Sequence, residues 1–482
     1  MVNGRPAIRP GWRQWLAGPM ARFGANLAAR PRAWALAATF AAAILIGLLA
    51  ERPVDPDYAD ATAYLKAAFH LANHGTFSES GEFGPPSPQI GREPGYAVFL
   101  AALMRIDPTF GGFTPACFRD NDVCRVRYRV PQWANAALVA VSGLLMFLAM
   151  RLLSGNLWAA WIAAGHLWLN HEFQDGLFYL ISDYLAVFLM ALTALLTAWA
   201  WRRREVAWVA PAVTFAALTL TKAIFLYGAL ALAGLALVAA AIASEARRRV
   251  LSALVVVVAV YAVGVGGWML RNQVVAGMFA VTQTRAGIAL STREVLNHMS
   301  PAQYGGAFVY WTRGAGDSWA KRLFAKEVWE PFELYAPDGF YLRGQLGYPR
   351  RVEALMRVEG LSRRAAQEII DRRLVSEILD NLPVYAATTL PVLYRGIWID
   401  EFIVFSFPAL VWLCLWALRR RRWEVLALVL PGLFSLTFYP LISLNIPRYQ
   451  MTTLPALALA TGFALPVFAA WVRRRIRRAQ GR

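Results

Sequence analysis

Charge is scarce in this chain of 482 residues: Asp, Glu, Lys and Arg make up 16% of it, against roughly a quarter in soluble domains. With 58% hydrophobic residues, an ordinary soluble protein is excluded. Cysteine is scarcer still, at three residues. Cys117 and Cys124 share one long loop, where an oxidising compartment permits a disulfide and two unpaired thiols are the alternative; Cys414 sits in an apolar run as a small packing residue. There is no P-loop, no GxGxxG after a strand and no GxSxG, so soluble nucleotide chemistry has no support. The five His include one i, i+4 pair, His70 and His74, without the Glu of a metalloprotease motif, and no metal site is expected.

What the chain does have is apolar runs of the length needed to cross about 30 Å of hydrocarbon. Ten crossings are predicted, at 33–50, 133–150, 157–170, 183–201, 206–220, 223–243, 250–270, 397–418, 423–443 and 451–472, giving an all-α multi-pass membrane protein. The first is read as a retained helix, since its apolar stretch is longer than a signal peptide's. The formal charge of +19 follows the same map. With the N-terminus in the cytoplasm, residues 1–32, Arg151, Arg202–Arg204, Arg247–Arg249, Arg419–Arg422 and the C-terminal tail all fall on one side. They hold 23 Arg against three acids, Glu205, Glu245 and Glu424, which is the signature of cytoplasmic loops. The remainder is close to neutral, so a nucleic-acid partner is not expected. Both termini are placed in the cytoplasm, and the membrane is read as a bacterial inner membrane.

Two stretches are too long to be turns and face away from the cytoplasm: a first loop at 51–132 and a segment at 271–396. They divide the chain into a membrane module, 1–270, an extracytoplasmic segment, 271–396, and C-terminal helices, 397–482. Loops of this length are functional or disordered, and their richness in Trp, Tyr and Phe argues against disorder. Within the second, Ser362–Asn381 places Ala366, Ile369, Ile370, Leu374 and Ile378 at helical spacing behind a capping Ser, predicting an amphipathic helix on the membrane face or on the bundle.

The first loop opens with Asp55, Asp57 and Asp60, followed by DATAYLKAAFHLANHGTF, where helical spacing puts Asp60 and Tyr64 on one face. A helix N-cap or a solvated acid is the plainer reading of such an Asp. Arg92 precedes an apolar stretch too short to cross, predicted to be re-entrant or interfacial. Asp183, Lys222, Arg271 and the pair Arg448–Tyr449 lie at crossing ends on the same side. Each alone fits a membrane anchor. Together they suit transfer of a sugar from a lipid-linked sugar phosphate to a hydroxyl: a carboxylate takes the acceptor proton, and cations hold the departing phosphate. A glycosidase needs an acid for an alkoxide leaving group, whereas a phosphate leaves as a stable anion.

The segments DATAYLKAAFHLANHGTF, REPGYAVFLAAL, LISDYLAVFLMALTALL, TLTKAIFLYGALAL, GGWMLRNQVVAGMFAVTQTRAGIAL and IPRYQMTTLPALALATG, in that order, resemble the bacterial lipid-carrier-dependent glycosyltransferases of the GT-C fold, which include protein O-mannosyltransferases and the aminoarabinose transferases of lipid A. The resemblance implies a polyprenyl-phosphate sugar donor, inversion at the anomeric carbon, no obligatory metal or other cofactor, and a lipid, saccharide or protein acceptor. It implies Asp60 as catalytic base and Arg92 as a contact to the donor phosphate; Lys222, Arg271 and Arg448 match basic positions of the family and, from charge and depth, are expected to line the cavity with Tyr449, with Tyr64, Asp183 and Asp57 in support. The chain departs from the pattern at Ala61, where many members have a second acid, at Ala97, where many have Pro, and at Asp183, commonly Glu. A lipid-linked sugar flippase and a polysaccharide polymerase or ligase using lipid-diphosphate donors are the rival readings.

Overall fold

The computed structural model describes residues 29–49, 60–80, 86–118, 126–177, 179–203, 205–242, 247–283 and 286–480. Asp57 and Cys124 lie outside these residues. Among the described residues every regular element is helical. Seven helices are long and apolar enough to cross a membrane, making this an all-α, multi-pass membrane protein.

The membrane bundle comprises α1 (Pro31–Leu49), α4 (Arg129–Ser154), α5 (Leu157–Trp168), α6 (Asp183–Ala200), α7 (Val209–Thr221), α8 (Ile224–Ile242), α9 (Arg247–Ala276), α15 (Ile403–Arg419), α16 (Trp423–Ile442) and α17 (Leu454–Ala479). The ten predicted crossings coincide with these ten helices. Three of them, α5, α7 and α15, have only 12, 13 and 17 residues. Residues 397–402, predicted as part of a crossing, instead close the preceding helix and turn into α15.

Lipid tails are as apolar as Leu, so helices associate in a bilayer through close packing of small residues. The centre of this bundle follows that rule: Ala136, Ala140, Ala149, Ala159, Ala160, Ala163, Ala164, Ala456, Ala458 and Ala460 are all buried. A side chain on Gly143 would strike the Trp168 indole, whose Nε1 donates to Ala140 O at 2.9 Å. Helices α8 and α9 form the periphery; only 22% and 6% of their apolar windows are buried, leaving the rest for lipid.

Between α1 and α4 stand α2 (Ala61–His74) and α3 (Pro94–Ile106). They pack on one another, and their core of Tyr64, Leu65, Tyr96, Leu100 and Phe110 merges with Leu185, Leu189, Phe215 and Phe225 of the bundle. Cys117, buried beside them, is disulfide-bonded, while Cys414 is free. Residues 286–397 form a helical cap containing α10 (Ala286–Val295), α11 (Pro301–Tyr310), α12 (Phe340–Glu359), α13 (Arg363–Asp380) and α14 (Leu382–Ile397). Helix α13 is the predicted amphipathic helix: Ser362 caps it through Ala365 N at 3.3 Å. Its buried stripe of Ala366, Ile370, Leu374 and Ile378 packs on α12 and α10, so it rests on the bundle's cap. Arg293, wholly buried, ties α10 to α14 and α16 through Pro440 O, Tyr385 O, Asn297, Thr388 and Thr389.

The helices that meet the cap at one end reach an Arg cluster at the other. Arg202 donates to Leu152 O, and Trp201 packs on Trp208. A cavity of about 480 Å³ at this end is lined almost wholly by apolar side chains, among them Trp208, Leu254, Leu418 and Trp423. Among the described residues that line it none is a carboxylate.

Candidate active site

Asp60 immediately precedes α2, yet its side chain makes no capping hydrogen bond. Its carboxylate turns toward two guanidinium groups: Oδ1 lies 2.8 Å from Arg92 Nη2, and Oδ2 lies 3.8 Å from Arg448 Nη2. Side-chain exposure is 28% for Asp60 against 10% and 19% for Arg92 and Arg448. The carboxylate is thus the reachable member of the group, and the cations hold it from behind.

Arg92 and Glu93 are delivered by the start of α3, where Pro94 at the first helical position has no N–H to satisfy. Gly95 allows that start to seat on the end of α7. A Cβ at Gly95 would come within 2.3 Å of Thr221 Oγ1 and 3.0 Å of Leu220 O. The close approach lets Ala223 N donate to Glu93 Oε1 at 3.4 Å. Gly95→Ala is therefore expected to cost about 1–3 kcal/mol through overpacking, read as a lower melting temperature in detergent. An unchanged melt would show that α3 does not depend on this seat.

Tyr64, one turn into α2, places its hydroxyl 3.3 Å from both Glu93 Oε2 and Ser182 Oγ, with Arg92 5.8 Å from its ring centroid. Burial, together with Glu93 and Asp60, holds this phenol well above the usual tyrosine range, so it stays protonated and serves as a hydrogen-bond donor. Asp183 opens α6 and meets Lys222, just past α7, at 2.8 Å. This pair sits next to Ser182 and Ala223, and so adjoins the Asp60 group through Tyr64 and Glu93.

Arg448 and Tyr449 lie in a 3₁₀ turn, Pro447–Thr453, between α16 and α17. Tyr449 stacks on Tyr439 with centroids 5.4 Å apart. The turn is held by buried amides: Asn445, in the left-handed region at φ 50, donates to Val392 O at 2.9 Å and accepts from Gln450 Nε2 at 2.7 Å. Arg271, by contrast, is engaged elsewhere. It donates to Gln89 O at 2.8 Å and Phe77 O at 3.4 Å and lies 4.8 Å from the Trp268 ring centroid, tying Phe77 and Gln89 to α9.

The structure therefore gathers Asp60, Arg92 and Arg448, sets Tyr64 beside them and the Asp183–Lys222 pair next to these, and places Arg271 outside the cluster. Three members were not among the residues singled out from sequence: Glu93, Ser182 and Tyr341. Glu93 stands in the same REPGY stretch as Arg92, the one signal that could have exposed it. Tyr341 comes from the cap, within electrostatic reach of Tyr449, Arg448 and Asp60, and burial raises its phenol. Among the described residues no group of three or more His, Cys, Asp or Glu is placed to hold a metal ion.

No family model matches the chain and no curated protein is similar to it in sequence. Among solved structures it is similar to the archaeal oligosaccharyltransferase AglB from Archaeoglobus fulgidus, in complex with an inhibitory peptide and a dolichol-phosphate, at 14% identity and a TM-score of 0.46. The likeness covers 93% of this chain and 52% of AglB, so the chain spans about half the length of that protein.

Proposed function

We propose that this protein is an inverting glycosyltransferase of GT-C type that moves a sugar from a polyprenyl-phosphate donor to a hydroxyl acceptor, on the extracytoplasmic face of a bacterial inner membrane. The observation that carries the reading is the orientation of Asp60: a carboxylate at a helix start that leaves its own helix uncapped and faces two arginines at the cap end of the bundle. In this reading Asp60 takes the acceptor hydroxyl's proton as that oxygen attacks the anomeric carbon, and the bond to the carrier phosphate breaks on the opposite face of the sugar. Arg92, Arg448 and Lys222 hold the phosphate as its charge develops, and Asp183 keeps Lys222 in place. Arg271 supports the loop that precedes Arg92.

The distribution of charge along the helices favours transfer over flipping. Outside their first and last two turns, the seven long helices found among the described residues contain no Asp, Glu, Lys, Arg or His, whereas a path for a phosphate across the bilayer calls for polar groups through its depth. A polymerase or ligase with a diphosphate donor is separated by substrate. Purified protein in detergent is expected to transfer sugar from a monophosphate-linked polyprenyl donor; turnover confined to oligosaccharide diphosphate lipids would overturn the assignment.

A further inference from the structure

The cations around the site differ in whether they have a partner. Arg92 and Arg448 face Asp60, Lys222 faces Asp183, and Arg271 donates to backbone carbonyls. Arg313, further along the cap, bridges Glu172 and Glu401. Arg395, in the last turn of α14, is half-buried, and among the described residues no carboxylate or hydrogen-bond acceptor engages it. What surrounds it is aromatic. Its guanidinium lies 5.0 Å from the Trp311 ring centroid, with Tyr310, Tyr341 and Tyr449 within electrostatic reach.

This placement is enforced by packing. The next residue, Gly396, lies so close to the Asn445 amide that a Cβ would be 2.2 Å from its Nδ2. Asn445 in turn donates to Val392 O, clamping the end of α14 to the turn that carries Arg448 and Tyr449. On the far side, Tyr394 hydrogen-bonds Thr312 at 2.7 Å. Trp311 is itself fixed against Phe332, centroids 5.0 Å apart. A half-buried cation with no counter-charge is only partly compensated by the indole face beside it. An incoming oxyanion supplies the missing charge. The guanidinium fork can meet two of its oxygens, and neighbouring phenols supply further donors.

We infer that Arg395, framed by Tyr310, Trp311, Tyr341 and Tyr449, is an oxyanion subsite that takes the phosphate group of a bound substrate, next to the turn that carries Arg448 and Tyr449. The phosphate belongs either to the lipid carrier, in which case the subsite rests on the reaction proposed above, or to a phosphorylated saccharide acceptor, in which case it does not.

The test is calorimetric titration of the full-length protein in detergent with farnesyl phosphate, farnesol, glucose 6-phosphate and inorganic phosphate. Wild type is expected to bind at least one phosphate probe and not farnesol. Arg395→Gln is expected to weaken that binding at least tenfold with the melting temperature preserved, and Arg395→Lys to fall between. Loss confined to farnesyl phosphate supports the carrier as source; loss confined to glucose 6-phosphate supports the acceptor. Arg395-dependent binding of inorganic phosphate with no binding of farnesyl phosphate supports the subsite and overturns the lipid-phosphate donor. Equal affinity of wild type and Arg395→Gln for every probe, or no phosphate binding by wild type, overturns the subsite. Should Arg395→Gln fail to fold, Arg395→Lys carries the same test, and an affinity equal to wild type counts against it.

Discussion

Asp60→Asn is expected to lower the rate of sugar transfer by about 10²- to 10⁴-fold, the range of a positioned general base, while leaving the fold and donor binding in place. The substitution keeps the shape of the side chain and removes its ability to accept a proton. Asp60 is 28% exposed and makes no side-chain capping hydrogen bond, and Asn keeps an oxygen that can accept from Arg92, so the melting temperature should stay within a few degrees of wild type. Donor affinity should hold or rise, since loss of the anion leaves Arg92 and Arg448 more available to a phosphate. The split is diagnostic: a fall in kcat with KM for the donor unchanged or lower marks a group that acts in the transition state. Asp60→Glu tests geometry separately, because the extra methylene drives the carboxylate toward Arg92, and it should retain partial activity. Normal turnover by Asp60→Asn would remove Asp60 from the mechanism.

The second large effect concerns stability. Asp400→Ala is expected to destabilise the protein by about 3–5 kcal/mol, the cost of removing a buried carboxylate and leaving several buried polar partners unsatisfied. Asp400 is fully buried in the turn before α15. Oδ1 accepts from Asn170 Nδ2 at 3.2 Å and from Phe402 N at 3.0 Å; Oδ2 lies 3.2 Å from His166 Nε2 and accepts from the Ser406 hydroxyl. His166 and Asn170 flank the end of α5, far from Asp400 along the chain, so one carboxylate locks α5 to α15. Its removal leaves several buried polar groups without partners. Asp400→Asn keeps the shape and one acceptor oxygen, and should fall between wild type and Ala in a thermal melt in detergent. A melting temperature for Asp400→Ala within two degrees of wild type would show that the lock contributes little.

Asp400 also marks where reading the sequence stops. In WIDEF it is one acid at a crossing end, with nothing to distinguish it from a solvated loop residue, and two of its partners, His166 and Asn170, lie about 230 positions away. Arg395 is the same case: in LYRGIW it reads as an interfacial anchor, and only the clamp between Gly396 and Asn445 shows that it is turned into an aromatic frame. Arg271 shows the converse: its depth and charge group it with the cations proposed to hold the phosphate, and only the structure shows it donating to the carbonyls of Phe77 and Gln89. Asp60, Arg92, Asp183, Lys222 and Arg448 were legible as a set because a bilayer confines ionisable side chains to its edges, so that chain position predicts depth.

The sequence by itself determined the class, the ten helices and the end of the bundle at which charge gathers, because these follow from quantities local to each segment: the length of an apolar run against bilayer thickness, and the sign of the residues at its ends. Which of the gathered charges meet was decided only by the tertiary structure. That depends on contacts between distant segments, such as the Gly95 backbone seated on Thr221 and the Asn445 amide against Gly396, where a single methyl group more would move an arginine out of reach. Depth is a one-dimensional property that hydropathy encodes; pairing within that depth is a packing problem, and its solution is spread over the whole chain.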